Sequence, residues 1–509
     1  MLLPGMALAS THLALRVLVD ARHFAQGRLL CRICVPTRCS FSCSGQRRAM
    51  TKLSYYHRPG KERLFSYTIG DVIDRTAEAW GDNLAIVSCH QSIRKTYAEY
   101  KTDIDHFAAA LISLKLGIGS RIAIIAPNMY EWAVVLFAAA KAGLVLVNVN
   151  TTYEIHELEH CLNHTDCKAV VLSEQFSKQD YYKLLVKLAP ELTSSSFGNL
   201  KSARLPSLKH VIVIGETAKP GTVKFADLME SVTSEHLRAL RCTASKLQMD
   251  DAVNLQFTSG TTGKPKAAQL SHFNIVNNAY LVGRRLNLHK QGEVICLNVP
   301  LVHCFGCVAG TMSAAIFGST AVMPAPSFSA AAALESITTD KCTFIYATPT
   351  MYIDMLQHVE HGCYDVSSVR TAVVSGAPCP NHLAKGITEK LNAKRIHVLY
   401  GTTETSPIIT ANDPNEPANQ WITSVGRPLD HVEVVGVPGE GQKEEVCAWI
   451  KLKPGLSLSQ EDIKNFCKRK LSHYKIPRYV LFVSEFPKTV SGKVQKHVMR
   501  EESRKILHL

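Results

Sequence analysis

No stretch of this chain approaches the ~18 uninterrupted apolar residues that a membrane-spanning helix needs. The nearest candidate, residues 132–140, is stopped at once by Lys141, so a soluble protein is expected. Acids are nearly missing from the start: residues 1–50 hold Asp20 alone, and no lysine, against seven arginines. The last four residues, Ile-Leu-His-Leu, lack the Ser-Lys-Leu pattern of a peroxisomal address. Long Lys/Arg runs with interleaved aromatics are absent too, which argues against a nucleic-acid footprint. No short-period internal repeat is visible, which excludes solenoids and propellers.

What is present suits a globular protein. Of 509 residues 46% are hydrophobic, enough to bury a core without staples. The formal net charge is +14, and the seven arginines and one acid of residues 1–50 supply +6 of it. The rest of the excess suits attraction of polyanionic small molecules. Residues 1–50 are Arg-rich, with serines near their end, and Leu13, Leu15, Val17 and Leu18 lie among Arg16 and Arg22. That is the composition of a mitochondrial transit peptide, while the arginines interrupt any secretory apolar segment. Cys31, Cys34, Cys39 and Cys43 crowd the same leader. Their C-x2-C-x4-C-x3-C spacing leaves little chain between pairs, so an unstructured leader is preferred to a zinc site. The other twelve cysteines are scattered through apolar segments, as reduced buried thiols would be.

From residue 84 short β-branched runs alternate with longer amphipathic ones. Tyr100, Ile104, Phe107, Ala108, Leu111 and Leu114 form a helical stripe that Gly117 and Gly119 close. Strands are expected at 121–127, 144–149, 168–172, 211–214, 253–257, 343–346, 371–374 and 396–399. Helices are expected at 131–141, 153–163 and 351–358. The alternation predicts an α/β fold of parallel sheets flanked by helices, with ligands at the carboxyl ends of strands. Residues 193–208 and 412–419 read as surface connections. Beyond them, strands at 432–437, 446–452 and 479–483 and a helix at 460–470 predict a small α+β unit.

The densest chemical signal is Thr258-Ser259-Gly260-Thr261-Thr262-Gly263-Lys264-Pro265-Lys266, directly after an apolar strand and before Leu270-Ser271-His272, where a helix can begin. Glycines let the backbone approach a phosphate, and hydroxyls, amides and lysines bind its oxygens. It is not a P-loop, because Gly260 and Gly263 are too close and Pro265 follows Lys264.

This segment resembles the phosphate-binding motif of the adenylate-forming (AMP-binding) superfamily, which includes the acyl-CoA synthetases. Further segments resemble its motifs in order: Lys95-Thr96-Tyr97-Ala98-Glu99, Pro300-Leu301-Val302-His303, Ser375-Gly376-Ala377-Pro378, Tyr400-Gly401-Thr402-Thr403-Glu404 and Pro487-Lys488-Thr489-Val490-Ser491-Gly492-Lys493. Within the superfamily, residues 257–266, 400–407 and 476–496 are most similar to medium-chain acyl-CoA synthetases. The resemblance implies a large domain over residues 51–431, a C-terminal remnant over 432–509, and activation of a fatty acid with ATP, Mg2+ and CoA. It implies that residues 258–266 hold the β- and γ-phosphates, and that Ser375, Gly376, Ala377, Pro378 and Tyr400 line the adenine pocket. Thr403 would meet the α-phosphate, Glu404 would hold Mg2+, and Lys493 would bridge carboxylate and α-phosphate. His303 would border the acyl pocket, although a lone histidine is as readily a satisfied core residue. Cys304 and Cys307 make a C-x-x-C after it, but both open an apolar helix-like run, against a redox role.

Two departures stand out. Ala267 replaces the glycine usual after the loop lysine, where an added methyl would disfavour a positive φ. Between Leu429 and Val432 the family's pattern loses on the order of a hundred residues, a domain-sized piece. The lost piece includes the Tyr-x-Thr-Gly-Asp motif, whose Asp binds ribose, and the hinge with its Arg. Weakened nucleotide grip and a lost pivot are the expected consequences.

Overall fold

The computed structural model describes residues 55–57, 59–258, 265–290, 292–413, 416, 421, 424–435, 447–450, 458–468, 479–487 and 496–507. Residues 1–54, with Cys31, Cys34, Cys39 and Cys43, lie outside these.

The expected alternation produces two large sheets. One has seven strands in the order Val223–Lys224, His210–Ile214, Cys167–Ser173, Arg121–Ile125, Val145–Asn148, Ala252–Thr258, Lys266–Ser271. All neighbours run parallel except the last two, which form an antiparallel hairpin at the edge. The other has nine strands, and its middle members Arg395–Gly401, Thr371–Val374, Phe344–Ala347, Val294–Leu297, Thr320–Met323 and Leu84–Ser88 are successive parallel neighbours. Strand limits differ from the sequence expectation by one or two residues in either direction, because ladder hydrogen bonds rather than the apolar run set them.

The helices Tyr97–Ser113 and Tyr130–Lys141 belong to the largest buried cluster, with Trp132, Phe107, Phe137 and Ile104 fully enclosed. The stripe read from Tyr100 to Leu111 is buried, and the helix starts three residues earlier. Thr96 caps it: its hydroxyl accepts from Glu99 N, and the Glu99 carboxylate accepts from Thr96 N. Tyr97 then donates its phenol to the carbonyls of Ala314 and Ser319. The Thr-Tyr-x-Glu segment is therefore a helix cap and a core anchor. Lys141, nearly buried at the end of its helix, bonds to Asp74 (2.6 Å) and to Asp105.

Two sequence expectations change. Residues 193–208 do not merely cross the surface, because Leu200, Leu205 and Leu208 are buried and pin the connection to the core. Asn412, expected at the start of a surface loop, is fully enclosed, its carbonyl accepting Val398 N at 2.6 Å. Its side chain replaces a missing backbone partner.

In the tail, Cys447–Ile450 and Tyr479–Phe482 pair in parallel, and the helix Gln460–Lys468 lies between them in sequence. The last helix, Lys496–Leu507, is tied on by the Trp449 indole donating to Ser503 Oγ at 2.8 Å. Glu433–Val435 does not join those strands. It pairs antiparallel with Tyr55–His57, ahead of the large sheets. Beside it, the Asp430 carboxylate accepts from Lys61 N at 2.8 Å.

Candidate nucleotide and adenylation site

Four neighbouring parallel strands end on the same edge of the nine-stranded sheet, and three of them hand over to a motif. Val294–Leu297 leads to Pro300–His303, Phe344–Ala347 to the helix Pro349–Val359, Thr371–Val374 to Ser375–Pro378, and Arg395–Gly401 to Thr403 and Glu404. Carboxyl ends of parallel strands are where α/β sheets gather ligands.

Ser375 is buried and donates to Leu399 O at 2.9 Å, which locks its strand end to the neighbour carrying Tyr400. Gly376 has φ 89°, a left-handed conformation that favours glycine. Ala377, Pro378 and Tyr400 are exposed, so this rim offers a flat apolar surface and a phenol ring.

The turn after Tyr400 is held from three sides. A Cβ at Gly401 would stand 1.8 Å from Pro407 O, so only glycine fits. The Thr405 hydroxyl donates to Pro407 O at 2.7 Å. Asn278, from the helix His272–Arg285, accepts from Ile408 N (3.1 Å) and donates to Ile408 O (2.8 Å). The turn thus presents Thr403 half-buried and Glu404 exposed. The Cys304 thiol approaches Thr403 Oγ1 at 3.7 Å.

Ser259, Gly260, Thr261, Thr262, Gly263 and Lys264 lie outside the described residues, but the hairpin that carries them is defined. Thr258 pairs with Lys266, and Thr258 Oγ1 sits 3.4 Å from Lys266 O. The strand Lys266–Ser271 packs against the turn Thr403–Thr405. The base of the 258–266 hairpin and the turn carrying Glu404 are therefore neighbours. Pro265 is half-buried and Lys266 exposed beside it. Ser271 caps the next helix, accepting from Asn274 N, so that helix begins where the sequence placed it. Ala267 corrects the expectation of strain: it pairs with Phe257 in ordinary extended strand, and it is not among the residues of positive φ.

His303 is half-buried, and its carbonyl accepts from Gly306 N and Cys307 N, opening a π-helical stretch, Phe305–Met312. A Cβ at Gly306 would lie 2.3 Å from Pro300 O, which allows that tight entry. Cys304 and Cys307 address different partners. Cys307 is fully buried and receives Gln256 Nε2 at 3.3 Å and Asn148 Nδ2 at 3.9 Å. Burial pushes the Cys307 thiol far up, which keeps it protonated and unreactive. Lys493 lies outside the described residues. Sequence reading missed Asn278, Cys304 as a partner of Thr403, and the buried amides Asn148, Asn254 and Gln256. A polar residue on an otherwise buried strand was the available signal for the last three.

Among the described residues no group of three or more His, Cys, Asp and Glu is arranged to hold a metal ion, and no helix is long and apolar enough to cross a membrane. The sequence profile of the AMP-binding enzymes matches residues 73–446, and that of the AMP-binding enzyme C-terminal domain matches 428–493. The "Medium-chain acyl-CoA ligase ACSF2, mitochondrial" of Danio rerio is 36% identical over 555 aligned positions, covering 90% of this chain and 91% of that protein. The "Putative acyl-CoA synthetase YngI" of Bacillus subtilis is 32% identical, covering 88% and 99%. Among solved structures, the anthranilate CoA ligase AuaEII in complex with anthranoyl-AMP shares the fold, with a TM-score of 0.71 at 20% identity over 88% of this chain and 99% of that one. The extent of these matches shows that the chain belongs to the AMP-binding enzyme family, among the acyl-CoA synthetases.

Proposed function

We propose that the chain is a medium-chain fatty acid–CoA ligase of the mitochondrial matrix, working through an acyl-adenylate. The observation that carries this reading is the packing of the 258–266 hairpin's second strand against the Thr403–Glu404 turn. In the first step a carboxylate oxygen attacks the α-phosphorus of ATP, forming the mixed anhydride while pyrophosphate leaves. In the second, the sulfur of CoA attacks the acyl carbonyl and AMP leaves. Both steps ask chiefly for charge neutralisation and positioning. Residues 258–266 hold the β- and γ-phosphates, and the rim from Ser375 to Pro378 with Tyr400 takes the adenine. Thr403 meets the α-phosphate, and His303 borders the acyl pocket. Lys493 neutralises charge between carboxylate and α-phosphate. Glu404 fits Mg2+, since an exposed lone carboxylate leaves the other ligand positions to phosphates and water, as this ion prefers. The name of the Danio rerio relative and the arginine-rich residues 1–50 support the mitochondrial address.

A second reading, a nucleotide-binding variant of impaired turnover, has its own support. An alignment of 555 positions that takes in 90% of a 509-residue chain holds about a hundred gaps on this side. Residues 428–446 are matched by both family profiles, as expected where two domains meet across a lost segment. Losing the ribose carboxylate would cost roughly a few kcal/mol of nucleotide binding. Octanoate-dependent exchange of pyrophosphate into ATP separates the readings. Exchange with thioester product supports the ligase, exchange without it localises the defect to the second step, and folded protein with no exchange sinks adenylation.

A further inference from the structure

One histidine outside every motif touches the base of the phosphate hairpin. The helix Ile155–His164 is fixed by its buried face, Leu158, Cys161 and Leu162, and by a reciprocal cap between Glu154 and Glu157. His160 and His164, one turn apart, leave that buried face together. Their rings stack with centroids 5.2 Å apart and planes at 17°. The stack fixes the His160 ring, and its Nε2 stands 3.2 Å from Pro265 O. A carbonyl only accepts, so Nε2 carries the hydrogen and donates.

Pro265 is the residue just before Lys266, where the edge strand of the seven-stranded sheet starts. An edge strand has a ladder partner on one side only, and Pro265 has no N–H of its own with which to join one. On the inner side Lys266 is paired to Thr258. The imidazole supplies a fixed hydrogen bond at the residue before it. We infer that His160 is a positioning residue: by holding Pro265 it sets where Lys266 stands at the hairpin base, and so how tightly a nucleotide triphosphate is gripped. This rests on the proposed binding of ATP phosphates at that hairpin.

The test compares the full chain with His160→Ala and His160→Gln, the second keeping an N–H donor at similar reach. Amide hydrogen exchange across residues 265–271 is measured without nucleotide, the Kd for MgATP by calorimetry, and the KM for ATP and kcat in pyrophosphate exchange. His160→Ala is expected to speed exchange at 266–268 and raise Kd and KM about three- to tenfold, the worth of one neutral hydrogen bond, with kcat within twofold. His160→Gln should return both within twofold of wild type. The inference is overturned if His160→Ala leaves exchange and Kd within twofold. It is equally overturned if folded His160→Gln behaves like His160→Ala. Wild-type protein that binds no MgATP brings down the ligase reading instead, and the exchange comparison still decides the role of His160.

Discussion

Replacing Asn278 by alanine tests whether the turn bearing Thr403 and Glu404 is held from the helix below it. The carboxamide makes two bonds to Ile408, one to its N–H at 3.1 Å and one to its carbonyl at 2.8 Å, with Ile408 only 3% exposed. Each bond contributes about 1 kcal/mol net, and the orphaned buried N–H adds about 1 more, so opening this turn becomes easier by about 3 kcal/mol. At about 1.4 kcal/mol per factor of ten, that is on the order of a hundredfold in the local opening equilibrium. Amide exchange across residues 401–411, in the regime where closing outpaces chemistry, reads that factor directly. Asn278→Asp keeps an acceptor for Ile408 N but sets a carboxylate oxygen against the Ile408 carbonyl, so it should accelerate exchange at least as much as Asn278→Ala. Less than threefold acceleration in Asn278→Ala, in protein that is otherwise folded, would refute the reasoning.

Three further outcomes are expected. Burial lowers His272 and His397 to about 4, well below the ordinary imidazole value of about 6.5. The unfolded chain then binds more protons between those limits, so stability is fully present above about pH 6.5 and falls towards pH 4. Urea midpoints should drop over that window and His397→Phe should flatten the fall; a wild-type midpoint unchanged from pH 7 to 5 contradicts this. Lys141→Met strands Asp74 and Asp105, but Lys101 stays beside both, so about 2–3 kcal/mol should be lost in urea melts. Lys493→Ala should abolish most octanoate-driven exchange while MgATP still binds, and unchanged exchange removes Lys493 from its role.

The sheet strands were legible because buried parallel strands are written as apolar β-branched runs, as in Val145–Asn148 and Thr371–Val374. The helix start at His272 was marked by Ser271, whose hydroxyl caps locally, whereas the start at Tyr97 was read three residues late from the apolar stripe alone. The candidate site's motifs stood out as strings, and the roles proposed for them come from the resemblance alone. Their supports did not stand out. Asn278 meets Ile408 across 130 positions, and His160 meets Pro265 across 105. Contacts of that separation have no period and no spacing rule, so they emerge only when the sheets are assembled. The pairing of Glu433–Val435 with Tyr55–His57 escaped notice for the same reason, as the apolar run alone does not name its neighbour.

That pairing also limits travel. With Val435 spent on an N-terminal strand and Cys447 already committed to the next sheet, eleven intervening residues tether the small unit. Fully stretched, eleven residues span no more than ~40 Å. That radius bounds where Cys447, and with it the first strand of the small unit, can stand relative to Val435.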